Sequence, residues 1–334
     1  MRSNNSHVKS LDTMRAIAIL AVILIHTTTR TLEATHYNLT SYPWTLLLNQ
    51  VSRFAVPLFF LISGFVLELS SVNEISYFTF LKKRFTKIVI PYIFWSLIYY
   101  YFVYNQNHDN LVHVILTGNA SYQLYFIPTL CIFYMVFPLL HKIYKFIAHP
   151  ITLILLGTLQ FWFLYQDYFI KHGGSDFPTR ISTLSYFVFL IGMVAARNKD
   201  KIFELAKKWK YALATAAGCT GYYVFAEGKN LYYQIYNIGS IYSQYRPSVL
   251  VYTILIGLLF FYTFRGVNLK KLSELSYLVF FIHVIILETV WRLFSKFVNP
   301  NPLFDITFFL TVSAVSFLIA FLAHKIPHLS KITG

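Results

Sequence analysis

A chain of 334 residues that is 57% hydrophobic and only 12% charged excludes an ordinary water-soluble domain, which carries about twice that charged fraction. Aromatic residues make up 19%, including 26 Tyr and 33 Phe, more apolar surface than a soluble core can hide but no burden to a chain surrounded by lipid. The net charge of +15 raises nucleic-acid binding, but no nucleic-acid motif is present. A membrane protein with excess cations in inner loops, facing anionic lipid, accounts for it.

Ten apolar segments approach spanning length. They run over 11–29, 44–69, 88–104, 122–140, 151–166, 181–196, 211–226, 247–264, 276–294 and 306–323. The expected fold class is all-α: a polytopic bundle of about ten transmembrane helices, forming one domain over 1–334. The first run follows Arg2 and Lys9 and ends in Ile25-His26-Thr27-Thr28-Thr29. It lacks a small-residue cleavage pattern, so it is expected to be a true first helix and not a signal peptide. The fifth and seventh segments are short. Orientation follows the cations. With the N-terminus in the cytoplasm, inner segments hold 20 Lys and Arg and outer segments 7, while Arg53 lies within a span. Both termini are therefore expected in the cytoplasm.

Between the spans, 197–210 reads as a short basic amphipathic helix at the membrane surface. The outer stretch 227–246 is rich in Tyr, with Tyr232, Tyr233, Tyr236, Tyr242 and Tyr245. It suits either a carbohydrate surface or an interfacial aromatic belt. Cys131 and Cys219 both fall in predicted spans and give neither a disulfide framework nor metal-ligand spacing, so no metal is expected. No internal repeat is evident, which disfavours a typical secondary transporter.

Ionisable residues inside a membrane are costly, and each is a candidate for function. The first span carries Asp12, Arg15 and His26. Arg15 and His26 are about three helical turns apart, so they share a face, roughly 16 Å from each other along the axis. Asp12 is placed to pair with Arg15. A second candidate is the run from Phe80 to Tyr92, where Lys82, Lys83, Arg84 and Lys87 gather at the mouth of the third span. Such a cluster suits a phosphate-bearing ligand, or serves as ordinary inner-side anchoring. Arg53 lies in the second span, followed by Pro57, Ser63 and Gly64; His283 lies in the ninth, where Glu288 and Arg292 have the spacing to neutralise each other. These are candidates for chemistry or for polar contact between helices.

These residues also carry a family resemblance. Leu11-Asp12-Thr13-Met14-Arg15-Ala16 with His26, then Arg53-Phe54-Ala55-Val56-Pro57-Leu58-Phe59-Phe60 through Ser63-Gly64-Phe65, resemble the first two span signatures of the acyltransferase-3 superfamily of membrane O-acyltransferases. Arg84-Phe85-Thr86-Lys87 resembles the basic motif that follows. Ser121-Tyr122-Gln123-Leu124-Tyr125-Phe126 and Leu275-Ser276-Tyr277 through His283 resemble two later patterns. Five motifs in order cover 11 to about 325, most like the stand-alone Gram-positive branch that contains intercellular-adhesion polysaccharide acyltransferases. Two departures matter. The basic motif ends in Lys87 where an Arg is frequent, which keeps the charge but loses the bidentate fork. Gln123 stands where some members have His, leaving hydrogen bonding in place of acid–base chemistry. An appended extracellular hydrolase-like domain, which some members carry, is not expected.

The resemblance implies transfer of an acyl group, taken as acetyl, from cytoplasmic acyl-CoA to a hydroxyl on an extracytoplasmic glycan, at the bacterial cytoplasmic membrane. Lys82, Lys83, Arg84 and Lys87 would hold the donor's phosphates. His26 would act as general base, or as a covalent acyl relay, with Arg15 and Arg53 in the catalytic set. Asp12, Ser63, Tyr122, Gln123, Tyr125, Arg246 and His283 are polar candidates for the acceptor or for structure. The implied partners are membrane lipid and the glycan acceptor, with a homo-oligomer or a glycan-synthesis complex compatible and no nucleic acid. Two other classes fit the same residues: a transporter or flippase of a glycan or lipid-linked sugar, and a structural subunit of a glycan-synthesis complex.

Overall fold

The computed structural model describes the backbone of residues 2–34, 43–70, 76–104, 109–170, 178–234, 243–298 and 302–326, and all of their side chains except those of 2–8, 169, 178, 179, 181 and 232–234. Every regular element among these is a helix. The chain divides into two compact units, Met1–Phe59 with Asp200–Lys325, and Phe60–Lys199 with Ile326–Gly334.

All ten predicted segments fall on helices. Six of these are long and apolar enough to cross a membrane by length and composition, and Phe126–Lys142 and Ser182–Arg197 are shorter apolar helices. The second predicted span is interrupted: α2 (Pro43–Val51) and α3 (Ala55–Ser70) are separated by a tight turn at Ser52–Phe54. The fourth begins later than expected, because residues 121–125 form turns ahead of Phe126. The seventh, expected to be short, is a 25-residue helix, Lys210–Gln234. It takes in part of the Tyr-rich stretch, whose Tyr232, Tyr233, Tyr236 and Tyr242 lie outside the described side chains. A basic helix is present at Lys199–Lys208, with Phe203 and Ala206 buried and Lys207 and Lys208 in its last turn.

In the first unit, α1 (Arg2–Ala34) packs along α13 (Lys270–Phe294), α14 (Pro302–His324) and α2, while α11 (Lys210–Gln234) packs on α12 (Pro247–Thr263) and α2. The face of α1 explains its central place. Ala16, Ala18, Ile19 and Ile23 are all fully buried, and small side chains let helices approach closely where no hydrophobic drive separates protein from lipid. Polar side chains add specific ties. Thr13 donates to the carbonyl of Val267 at 3.0 Å, and Thr45 donates to the buried Asp305 carboxylate at 2.5 Å. Arg30 bonds Glu288 at 3.4 Å and lies over the Trp291 ring. The local Glu288–Arg292 pairing expected from spacing is replaced by this contact between helices.

In the second unit, α3 crosses α9 (Pro178–Arg197) at two glycines. A Cβ on Gly64 would stand 2.0 Å from the carbonyl oxygen of Phe189, and one on Gly192 would stand 2.0 Å from that of Leu61. Each helix thus presents a glycine to the other's backbone. Beside the crossing, Phe133 stacks on Phe189 at 4.8 Å and meets Phe60 edge-on at 5.3 Å. Where the same helices end, the buried carboxylate of Glu68 accepts from Arg197 Nε at 2.5 Å and contacts His141 Nδ1 at 3.0 Å.

Gly64→Ala or Gly192→Ala should force this crossing apart and cost about 1–3 kcal/mol, the usual range for overpacking. Gly218→Ala, where the added carbon meets no neighbour within 4 Å beyond the adjoining residues and backbone of its own helix, should be neutral or slightly stabilising. Thermal melting of the three detergent-solubilised variants checks the difference.

Candidate active site

The first unit gathers its polar side chains around one turn of α1. His26 is half-buried on that helix. Its ring stacks on the ring of His283 from α13, with centroids 5.4 Å apart and an interplanar angle of 29°. His283 is fully buried, and its Nδ1 lies 3.0 Å from the carbonyl oxygen of Val279. Arg53 is close enough to act electrostatically on the His26 ring.

The turn between α2 and α3 explains how Arg53 reaches this place. The amide of Arg53 bonds back to the Gln50 carbonyl at 3.1 Å, and that of Ala55 to the Ser52 carbonyl at 3.0 Å. The turn sends the buried guanidinium back one helical turn, where its Nη2 donates to Asn49 Oδ1. Asn49 is itself fully buried. Its Nδ2 donates to the carbonyl of Ile25 at 3.1 Å and to the hydroxyls of Thr28 and Thr29, both at 3.0 Å. One side-chain amide therefore joins the residue before His26 to Arg53. Thr28 and Thr29 supply the hydroxyl acceptors, and the hydroxyls of Thr27 and Thr28 bond back to helix carbonyls, those of Ile23 and Leu24.

The network continues outward from Asn49. Gln50 Nε2 donates to Asn49 Oδ1 at 3.2 Å, and Gln50 Oε1 accepts from Arg246 Nη2. Arg246, fully buried at the start of α12, pairs with Glu227 through Nη1 at 3.2 Å. Ser248 donates to the same Glu227 oxygen. Gly228 leaves room for this path, since a Cβ there would stand 2.6 Å from Gln50 Oε1. Two guanidiniums, two amides and a carboxylate thus form one continuous system within the first unit.

Of the residues singled out in the sequence, the structure brings together His26, Arg53, His283 and Arg246. Arg15 and Asp12 stand further along α1, paired at 3.4 Å, with Ser273 of α13 donating to Asp12 at 3.2 Å. Asp12 and His26 thus both meet α13, and Arg15 is tied there through Asp12. The remaining candidates belong to the second unit. Lys82, Lys83 and Lys87 are exposed on α4 (Tyr77–Ile98), and Arg84 is half-buried over the Phe80 ring, 3.4 Å from Ser70 Oγ. Ser63 is half-buried, Tyr122 exposed and Tyr125 half-buried. Gln123 is buried and accepts from Ser121 Oγ at 2.6 Å. Asn49, Gln50 and Glu227 were not singled out from sequence. The available signal was an adjacent pair of amides inside an apolar stretch.

A family model for an acyltransferase domain matches residues 8–325. The chain belongs to the acyltransferase-3 family. Membership implies acyl transfer. Among curated proteins, it is 23% identical over 308 residues to the probable poly-beta-1,6-N-acetyl-D-glucosamine export proteins of Staphylococcus aureus strains MSSA476, MW2 and N315, covering 87% of this chain and 85% of each relative. No solved structure matches it.

Asn49→Ala should strip buried Arg53 and Gln50 of an acceptor and cost roughly 1–3 kcal/mol of stability. Asn49→Asp keeps the acceptor oxygens but loses the donor to α1. It should hold Arg53 yet loosen α1, and hydrogen exchange over residues 23–31 should rise in Asn49→Asp as well as in Asn49→Ala.

Proposed function

We propose that this family member is a membrane O-acyltransferase that moves an acetyl group from cytoplasmic acetyl-CoA to a hydroxyl of an extracytoplasmic glycan. The observation that carries the reading is the meeting of His26, His283 and Arg53 inside an apolar helix bundle. A neutral imidazole can take the proton of an attacking hydroxyl, or attack the thioester itself and carry the acyl group briefly. A guanidinium fixed nearby in a low-dielectric site stabilises the oxyanion that either route forms. Family membership supports acyl transfer, and the name of the staphylococcal relatives supports a poly-N-acetylglucosamine type of acceptor. The excess of cations in the predicted inner segments supports a cytoplasmic donor side. The exposed Lys82, Lys83 and Lys87 with Arg84 suit the donor's phosphates on charge alone.

The relatives' name also favours a second reading, export of such a glycan without making a bond. The two readings separate on thioester cleavage. The chain in nanodiscs, given acetyl-CoA and a β-1,6-linked N-acetylglucosamine oligomer, should release thiol and yield an ester seen by mass spectrometry. An exporter releases none.

His26→Ala should leave folding and donor binding intact while ester formation falls by roughly 10²–10⁴-fold. His26→Gln should fail likewise, because an amide cannot carry the proton. Transfer at the wild-type rate in folded His26→Ala would remove His26 from the reaction.

The donor cluster has its own test. Arg84→Ala with Lys87→Ala should weaken acetyl-CoA binding and flatten its salt dependence, since fewer charges remain to be screened. Lys87→Arg should bind at least as well as the parent, through the bidentate fork that arginine offers. Unchanged affinity in the double variant would reassign the cluster to membrane anchoring.

A further inference from the structure

The two stacked imidazoles are not chemically equivalent. A carbonyl oxygen only accepts, so the Nδ1 of His283, 3.0 Å from the Val279 carbonyl, carries the ring's proton. In the neutral ring this leaves Nε2 as a lone-pair acceptor. That atom is buried, and no described residue donates to it. Buried polar groups are almost always paired, and an open one calls for an explanation. A histidine kept only to hold α13 against its neighbours would use both nitrogens, or would be replaced by an apolar ring. His26 differs: it lies against the same ring yet keeps part of its surface accessible.

We propose that the two rings divide the transfer, with His26 carrying the acyl group and His283 Nε2 receiving the proton of the acceptor hydroxyl. This rests on the acyl-transfer reading above and selects between its two chemical forms. In the first half, a ring nitrogen of His26 bonds to the thioester carbon, the C–S bond breaks, and the thiolate departs. In the second, the acceptor's hydroxyl oxygen bonds to the acyl carbon, its proton passes to His283 Nε2, and the C–N bond breaks to return His26 neutral. The departing thiolate takes its proton from water and the proton on His283 is afterwards released to water, giving thiol and ester as the net products.

The stacking suits this order of events. Two imidazolium rings with centroids 5.4 Å apart would repel strongly in apolar surroundings. The relay never asks for two. The single positive charge sits on acylated His26 after the first half and on His283 after the second. The open Nε2 also states the acceptor's chemistry: the group that completes it must be a hydrogen-bond donor, as a sugar hydroxyl is.

The test uses the full chain in nanodiscs with acetyl-CoA, with and without a β-1,6-linked N-acetylglucosamine oligomer. Wild type with donor alone should form one acetyl adduct, mapped to His26. His283→Gln, which keeps an acceptor but cannot take a proton, should still form that adduct and release thiol once. Its transfer to the oligomer should fall by about 10²–10⁴-fold. His283→Phe, which keeps a ring against His26 but has neither nitrogen, should behave the same way. Gel filtration and thermal melting establish that each variant is folded. Wild-type transfer in either folded variant overturns the proposal. Loss of the adduct together with transfer in both variants also overturns it, and makes His283 a support for His26. Ester formation by wild type without any adduct refutes the division of labour while leaving acyl transfer standing. Neither thiol release nor ester from wild type removes the acyl-transfer reading itself, and the proposal with it.

Discussion

The hydrogen bonds of Asn49 join helices in a region where water is not available to replace them. Its Nδ2 holds the turn of α1 that ends at Thr29, and its Oδ1 holds Arg53 and Gln50. The network that runs from Arg53 to Glu227 passes through this one amide. Because α1 carries His26 one residue beyond Ile25, any movement of Asn49 shifts Arg53 with respect to the imidazole. Because Gln50 is bonded in turn to Arg246, the same amide ties α12 and its Glu227 partner into the system. The interruption at Ser52–Phe54 belongs to this arrangement. It lets Arg53 turn back toward α2 and places its charge on an acceptor inside the unit.

Much of this was legible before any coordinates. Apolar length marked all ten helical segments, and the near-integral number of turns between Arg15 and His26 placed both on one face of α1, where Asp12 and His26 are seen to meet α13. His283 stood out as a ring inside an apolar run, and Arg246 as a polar candidate at the end of the outer stretch 227–246. What stayed hidden was partnership between helices. Glu288 and Arg292 have the spacing of a local pair, but Arg30 from another helix takes Glu288. Spacing along one helix lists the options, and packing between helices chooses among them. Asn49 and Gln50 escaped notice because an uncharged amide in an apolar stretch looks incidental until both of its ends are seen to be bonded. The polar, Tyr-rich stretch from 227 reads as an outer connection, yet the seventh helix runs on through it to Gln234. The Arg246 guanidinium that satisfies Glu227 makes that carboxylate compatible with a helix.

The second unit shows the same physics put to structural use. Glu68 is buried, but Arg197 and His141 meet its oxygens and the Arg197 guanidinium lies 3.7 Å over the Tyr144 ring. Every charge there has an opposite charge or an aromatic face, and the cluster closes the ends of helices that the Gly64 and Gly192 crossing has already brought together. Polar contacts of this kind act as glue between helices in lipid. The cations of α4 are the opposite extreme, with Lys82, Lys83 and Lys87 exposed, so that attraction to any anion there is weakened by salt.

The polar core of the first unit fits neither pattern. Glu227 is matched to Arg246 and Ser248, and the groups gathered at His26 are His283 and Arg53. In a buried, low-dielectric setting the field of the Arg53 guanidinium is weakened little by water. Passage of an uncharged sugar polymer would gain little from such a field, and a fixed charge along the path would bind its hydroxyls and slow it. A reaction that develops negative charge on a carbonyl oxygen gains directly, because a donor fixed in advance needs no reorganisation when the charge appears. On the acyl-transfer reading proposed here, the arrangement at His26 suits making a bond over opening a path, with Arg53 held by Asn49.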